Sequence, residues 1–306
     1  EQEQAIGLDG TTFLGCKQIV SEIKLPSGGM ATTMTYDMEE FIMSCISKYE
    51  QLAGPDFVVK SAPTPFLADD HRDSPAGCQG KGQVVECPWC KHTFPPQKIW
   101  NSVEELENGI IKRKATEKKE NGQSAQAGGS KTVQPQDQMG KLQPIASRIL
   151  MKILWVARLA RFDLLRAVSH LATFVTKWTT EQDRQLHRLV GYLKYSKHLR
   201  MVGWVGDQLD CMQPHLFCDA DFAGCTTTQR STSGVHLVAR GPNTSFPITG
   251  ISKRQGCVSY STPEAEIIAA NLALRQTGLP GLLIWHRVLP HKPALLVHED
   301  NQPMIR

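Results

Sequence analysis

Between Lys112 and Lys141 the chain carries no aromatic side chain and very little aliphatic content. Such a stretch cannot bury enough apolar area to offset the entropy of ordering its backbone. It lies within residues 69–142, which are rich in Gly, Gln, Lys, Pro and Ser. This constrains the fold more than any other feature. A core has to come from the patterned sequence on either side, residues 1–68 and 143–306, with 69–142 expected as a mobile linker.

The patterned segments read as follows. Residues 11–36 predict a hairpin turning at Pro26-Ser27-Gly28-Gly29. Asp37 can cap a helix reaching Ala53, with Ile42, Cys45, Ile46 and Tyr49 recurring at helical spacing. From Pro144 three helices are expected. The first carries the stripe Leu150, Ile153, Leu154 and Ala157; the second covers about Asp163 to Lys177. The third starts at Thr180, where Thr180-Glu181-Gln182-Asp183 resembles a capping box. The period then changes to that of strands, at His215–Phe222, Gly234–Arg240 and Ser245–Ser252. Pro263 opens a helix reaching about Gln276, Leu295–His298 is a fourth strand, and a helix starts at Asn301.

Composition narrows the class. Hydrophobic residues are 41% and charged residues 21%, as in ordinary globular proteins, and 306 residues allow two domains. No apolar run approaches the roughly 18 residues needed to span a membrane, so no membrane partner is expected. The nine Cys are odd in number and irregularly spaced, which argues against a secreted disulfide framework. An intracellular setting, a cytoplasmic particle or the nucleus, is expected instead. Cys16, Cys45, Cys211, Cys218, Cys225 and Cys257 are expected as small buried side chains. Neither a signal peptide nor an initiator Met opens the sequence, and Met304-Ile305-Arg306 closes it inside an apolar pattern, so the chain reads as a piece of a longer one. Net charge is only +4, yet residues 141–200 hold 12 Lys and Arg against 3 Asp and Glu. A basic segment beside acidic clusters suits an enzyme that holds a polyanion against bound metal; a solvated helical face is the plainer reading.

The acidic clusters follow that segment. Asp219 and Asp221 lie on the first strand, Glu264 and Glu266 in the first turns of a helix, and Glu299 and Asp300 after the fourth strand. Phosphodiester hydrolysis by two metal ions needs carboxylates converging from separate elements. Mg²⁺ or Mn²⁺ prefers such oxygen ligands. Asp219, Glu266 and Asp300 fit this demand as catalytic and metal-binding residues. Asp221 shares a strand face with Asp219, whereas Glu264 stands where helix-dipole stabilisation accounts for it.

Blocks in this order resemble the junction of reverse transcriptase and ribonuclease H in the Pol polyprotein of copia-type long-terminal-repeat retrotransposons. They are Arg161-Phe162-Asp163-Leu164, Lys177-Trp178-Thr179, Asp183, Leu186, Arg188, Tyr192-Leu193, Asp219 to Gly224, Arg230 to Gly234, Ser252 to Gln255, Ser261 to Glu266 and Asp300-Asn301-Gln302. The resemblance implies an α/β fold. A C-terminal ribonuclease H-like mixed sheet with helices would occupy 210–306. An α-helical connection segment (143–200) and a small α+β reverse transcriptase remnant (1–68) would precede it. It further implies cleavage of the RNA strand of RNA/DNA hybrids, with the hybrid and the rest of the polyprotein as partners. Asp219, Glu266 and Asp300 match the family's catalytic acids; its fourth metal-binding Asp falls beyond Asp300. Phe13-Leu14-Gly15 and Thr64-Pro65-Phe66 resemble blocks further upstream in the same polyprotein. The polymerase Tyr-x-Asp-Asp signature is absent from the sequence, so no DNA synthesis is expected of it.

Smaller constellations remain. Cys87-Pro88-Trp89-Cys90, with Cys78 before and His92 after, reads as a four-ligand Zn²⁺ site or as thiols in a linker. Lys253, Arg254 and Gln255 could reach phosphate or a 2′-hydroxyl, and Arg230 and Ser231 a backbone phosphate; a basic loop and a turn between strands are the plainer readings. Trp155, Trp178 and Trp285 fall in apolar stripes and are expected in the core. Against the nuclease stand two other readings: a catalytically inactive transposon remnant that binds nucleic acid or has no activity, and a zinc-binding interaction module at 78–92.

Overall fold

A computed structural model describes residues 11–67 and 139–305, except 27, 56, 226, 227 and 290, together with the two-residue strands 85–86 and 93–94. Residues 1–66 and 139–306 form one compact unit and 67–138 a second. In the second unit, β4 (Val85–Glu86) pairs antiparallel with β5 (Thr93–Phe94). The linker expected over 69–142 otherwise falls on residues outside those described, apart from 139–142.

The first unit is a mixed α/β structure around an eight-stranded sheet. Its strands are β1 (Thr11–Phe13), β2 (Cys16–Lys24), β3 (Met30–Asp37), β6 (Met201–Val205), β7 (Gln213–Asp221), β8 (Thr232–Gly241), β9 (Thr244–Arg254) and β10 (Leu296–His298). They lie in the order β1-β2-β3-β6-β9-β8-β7-β10. All neighbours are antiparallel except β7 and β10, which are parallel. Strand β6 is absent from the sequence reading. It is five residues long with Gly203 at its centre, and a Cβ there would run into the Phe246 ring. It pairs with β3 on one side and meets β9 through Trp204 and Ser245 on the other.

Four helices build the larger core: α1 (Glu39–Ala53), α2 (Gln143–Leu159), α3 (Leu165–Ala172) and α4 (Thr180–Ser196). Ile42, Ile149, Ile153, Leu164, Leu186 and Leu189 are fully buried in it. Burying such side chains contributes about 1.5–3 kcal/mol each. Helix α3 is shorter than the periodicity predicts: a 3₁₀ turn (Phe162–Leu164) precedes it, and it stops at Ala172.

The blocks around α3 and α4 hold this bundle together. Arg161, 3% exposed, donates to Asp163 at 3.0 and 2.7 Å and to the Ser196 carbonyl and hydroxyl oxygens. Asp163 also accepts from the Tyr192 hydroxyl. Asp183 accepts from the Lys141 and Leu142 backbone N–H groups and from Trp178 Nε1, tying α4 to the start of α2. The capping box opens one residue earlier than expected. Extended Thr179 is the N-cap, accepting from Glu181 N–H, while Gln182 Oε1 accepts from the Thr179 N–H.

A second core lies between α5 (Thr262–Ala273) and strands β7 and β8, formed by Leu216, Cys218, Val235, Leu237, Ala270 and Ala273. Ser261 caps α5 by accepting from the Glu264 N–H, and Glu264 accepts from the Tyr260 N–H. Small residues at Ala265, Ala269 and Ala273 let α5 lie close to the sheet. A π turn (Leu274–Gly278) then joins α5 to α6 (Leu279–Val288). The joined helix, Thr262–Val288, is 27 residues long with a window of mean hydropathy 1.3. By length and composition alone it is long and apolar enough to cross a membrane, as a core helix can also be. Glu264, Glu266 and Arg275 break the apolar sequence, and the segments join only in the folded chain. Helix α6 has no buried residue and leaves Leu283 and Ile284 exposed, with Trp285 only half-buried. Trp155 is likewise 37% exposed, whereas Trp178 is in the core as expected. Helix α7 (Gln302–Ile305) ends the described chain.

Candidate metal centre

The sheet register explains why three acids meet. Asp221 pairs with Thr232, and Thr232 with Arg254, so the end of β7, the start of β8 and the end of β9 share one edge. Helix α5 begins at that edge, a few residues after β9. Strand β10 runs parallel to β7, so its carboxyl end emerges there too. Asp219 near the end of β7, Glu266 in the first turns of α5 and Asp300 just after β10 therefore converge. One ligand atom from each lies within 4.8 Å of the others. Gly234 is the cross-strand neighbour of Asp219, so no side chain from β8 crowds that carboxylate.

Electrostatics mark Glu266 as the centre of the cluster. It is 6% exposed, while Asp219 and Asp300 face solvent. Burial, followed by the carboxylates of Glu299, Asp219 and Asp300, pushes its pKa up from the usual 4.5 to about 7. Its Oε2 is buried with no hydrogen-bond partner. A buried carboxylate oxygen without a donor is costly, and either a proton or a bound cation removes the cost. The residues present therefore fit a divalent ion: the acidic triad can hold a metal. Glu299, outside the triad, adds to the negative field and accepts from the Cys218 thiol at 3.4 Å. Burial and that carboxylate push the thiol up to about 12. The same thiol donates to the His298 carbonyl, which fastens β10 to β7.

The turn after β7 separates Asp221 from the triad. Asp221 meets Arg166 of α3 at 3.5 Å. Ala223 adopts a positive φ of 51°, and a Cβ at Gly224 would collide with the Asp221 carboxylate. Glu264 is occupied in the cap of α5.

The residues read as nucleic-acid contacts divide in two. Ser231 is fully buried, its hydroxyl accepting from the Ala223 N–H. Gln255 is 5% exposed and donates to the Ser233 hydroxyl and the Ala265 carbonyl, while its Oε1 accepts from Ser259. Both are buried at the edge that carries the acids, which corrects their reading as surface contacts. Lys253 is exposed, and Arg230 and Arg254 are half-buried. Cys78, Cys87, Cys90 and His92 lie outside the described residues, between or before β4 and β5. Cys211 and Cys257 are exposed rather than buried, because Cys211 ends a short 3₁₀ helix (Leu209–Cys211) and Cys257 lies in a bend, neither on a packed face.

Sequence reasoning did not find Arg166, which reaches the acidic edge from a helix 55 residues away in the chain. Nor did it find the stacked rings of His215 and His298, whose Nδ1 and Nε2 lie 2.8 Å apart across β7 and β10. Compared with protein-family models, curated proteins and solved structures, the chain matches none.

Proposed function

We propose that the chain is the ribonuclease H-like part of a copia-type Pol polyprotein, cutting the RNA strand of RNA/DNA hybrids at the Asp219, Glu266 and Asp300 cluster. The convergence of these three side chains around a buried, unpartnered Glu266 oxygen carries the reading. The element order is compatible with it: three antiparallel strands, a helix, a strand parallel to the first and a helix follow one another as the sequence periods predict.

Asp219, Glu266 and Asp300 would hold Mg²⁺ or Mn²⁺, which activates water and stabilises the leaving oxygen of a phosphodiester. Glu266 has to lose its proton to act as a ligand. With its pKa near 7, this happens around neutral pH, so metal affinity is expected to rise across that range. Asp219, exposed at the end of β7, would face a bound strand. The basic surplus of residues 141–200 draws a polyanion toward the same unit.

Mn²⁺ titration by calorimetry and cleavage of a hybrid with end-labelled RNA test the proposal together. Saturable Mn²⁺ binding that Asp219→Asn and Asp300→Asn both weaken is expected, with RNA cleavage lost in Asp219→Asn. Binding unchanged by both substitutions, or cleavage that survives Asp219→Asn, would remove the cluster from the reaction.

A further inference from the structure

Alternation along β7 puts His215, Phe217 and Asp219 on one face of the sheet, and Leu216 and Cys218 on the other, against α5. Strand β10 runs beside β7 with His298 opposite Phe217. The two rings stack, with centroids 4.3 Å and planes 10° apart. His215 stands next to them. Its ring lies 5.0 Å from that of His298 and 14° from parallel, so that His215 Nδ1 and His298 Nε2 are 2.8 Å apart. Two imidazoles from neighbouring strands thus meet nitrogen to nitrogen, both half-buried.

That spacing suits two ligands of one ion. Nitrogens bound about 2.0–2.1 Å from a metal lie about 2.9 Å apart when they meet at a right angle, and about 3.4 Å apart in a tetrahedron. The observed 2.8 Å matches adjacent corners of a square-planar or octahedral site, the geometry that Cu²⁺ and Ni²⁺ take with imidazole, more closely than a Zn²⁺ tetrahedron. The rings are also held in place. Phe217 backs the His298 ring, and the Arg240 guanidinium lies over Phe217 at 5.8 Å. Burial, followed by His298 and Arg240, keeps the His215 pKa below its usual 6.5, so this ring is neutral at pH 7 and can act as a ligand. Mg²⁺ takes oxygen ligands, so the carboxylate cluster and the histidine pair select different ions.

We infer that His215 and His298 form a second metal site, a two-imidazole clamp for an ion of the Cu²⁺ and Ni²⁺ class, with water in its remaining positions. On binding, the ring that donates in the hydrogen bond carries its proton on its other nitrogen instead, so both facing nitrogens offer a lone pair. The ion then bridges β7 and β10. Strand β10 is three residues long and lies at the edge of the sheet, and Asp300 follows its last residue by two. The clamp therefore fastens the strand that carries one acid of the triad. The inference does not depend on the nuclease reading, since it needs only the register of β7 and β10 and the chemistry of imidazole.

The test uses the whole chain at about pH 7.5, with accessible thiols alkylated so that thiolate does not compete, and with Mg²⁺ in excess to occupy the carboxylates. Equilibrium dialysis against Ni²⁺ is expected to show one bound equivalent that His215→Gln and His298→Gln each weaken by at least about tenfold. In urea unfolding, Ni²⁺ at about a hundred times its Kd should lower the unfolding constant of the wild type about a hundredfold and leave both variants unmoved. Diethyl pyrocarbonate, which acylates imidazole nitrogen, locates the ion by peptide mass. Ni²⁺ should protect His215 and His298 and leave exposed His198 and His286 labelled. This measurement needs no variant, so it carries the test if circular dichroism shows that a substitution unfolds the chain. Unchanged Ni²⁺ affinity and stoichiometry in both variants, or protection no greater at His215 and His298 than at His198 and His286, overturns the site and leaves a hydrogen-bonded histidine pair. Asp219→Asn should retain the Ni²⁺ equivalent. Its loss there would assign the ion to the carboxylate cluster and also overturn the clamp.

Discussion

Replacing Glu266 by Gln is expected to stabilise the metal-free protein at and above neutral pH. Folding moves the Glu266 carboxyl from water into a site where burial and the neighbouring acids raise its pKa from 4.5 to about 7. Between those values the folded chain holds a proton that the unfolded chain has lost. The stability of the wild type therefore falls as pH rises from 4.5, and levels off above 7. At about 1.4 kcal/mol per pH unit the whole span is worth roughly 3 kcal/mol. Water on the open side, where Asp219 and Asp300 are exposed, reduces the expected effect to roughly 2 kcal/mol. Gln fills the same volume and does not titrate, so Glu266→Gln should match the wild type near pH 4.5 and exceed it by that amount at pH 8. Urea unfolding of both proteins in EDTA, at half-unit steps from pH 4 to 8.5, measures the difference. Adding Mn²⁺ at about a hundred times its Kd should stabilise the wild type by about 2.7 kcal/mol and cancel the advantage of the variant. Parallel profiles, or a variant that loses stability relative to the wild type as pH rises, would refute the argument that Glu266 is held under electrostatic strain for a cation.

Three further outcomes follow from the packing. Asp183→Ala should cost at least about 3 kcal/mol in urea unfolding, because Lys141 N–H, Leu142 N–H and Trp178 Nε1 lose a buried acceptor together. Gly191→Ala separates helix propensity from tertiary contact. Propensity favours Ala by about 1 kcal/mol. A Cβ there, however, would strike the Lys60 carbonyl where Ala62 N–H donates to Gly191 O. A net loss of about 1–3 kcal/mol is expected, and a gain would refute the packing. Brief alkylation at pH 8, mapped by peptide mass, should label exposed Cys257 well before buried Cys16, Cys45 and Cys218. Exposed Cys211 should lag behind Cys257, because the Asp210 carboxylate raises its pKa.

Much of the candidate site is legible in local pattern. Period-two alternation places Asp219 on a strand, and Ser261 and Pro263 place Glu266 in a first helical turn. A Cys-Asp-Ala-Asp run offers two acids, and periodicity cannot choose between them, since residues two apart share a face. The fold chooses. Asp221 is turned to Arg166, while Asp219 joins Glu266 and Asp300. Ser231 and Gln255 show the opposite limit. As polar residues beside arginine and lysine they look like surface donors, and burial gives them to the protein interior instead.

By itself the sequence determined most of the elements and the chemical kind of the site, because each depends on residues within a turn or two of one another. α1 ends at Ala53 and buries the stripe that its 3.6-residue period predicts, though its N-cap is Met38 rather than Asp37, and β7 keeps its alternation. Tertiary structure alone decided what depends on register and on distant packing. It inserted β6 between β3 and β9, joined α5 to α6 and brought Arg166 to the acidic edge. It also raised the pKa of Glu266, by closing burial and three other carboxylates around a side chain whose own neighbours in sequence are mostly alanine and isoleucine. Coulomb interaction and desolvation act through space, so no local pattern along the chain records them.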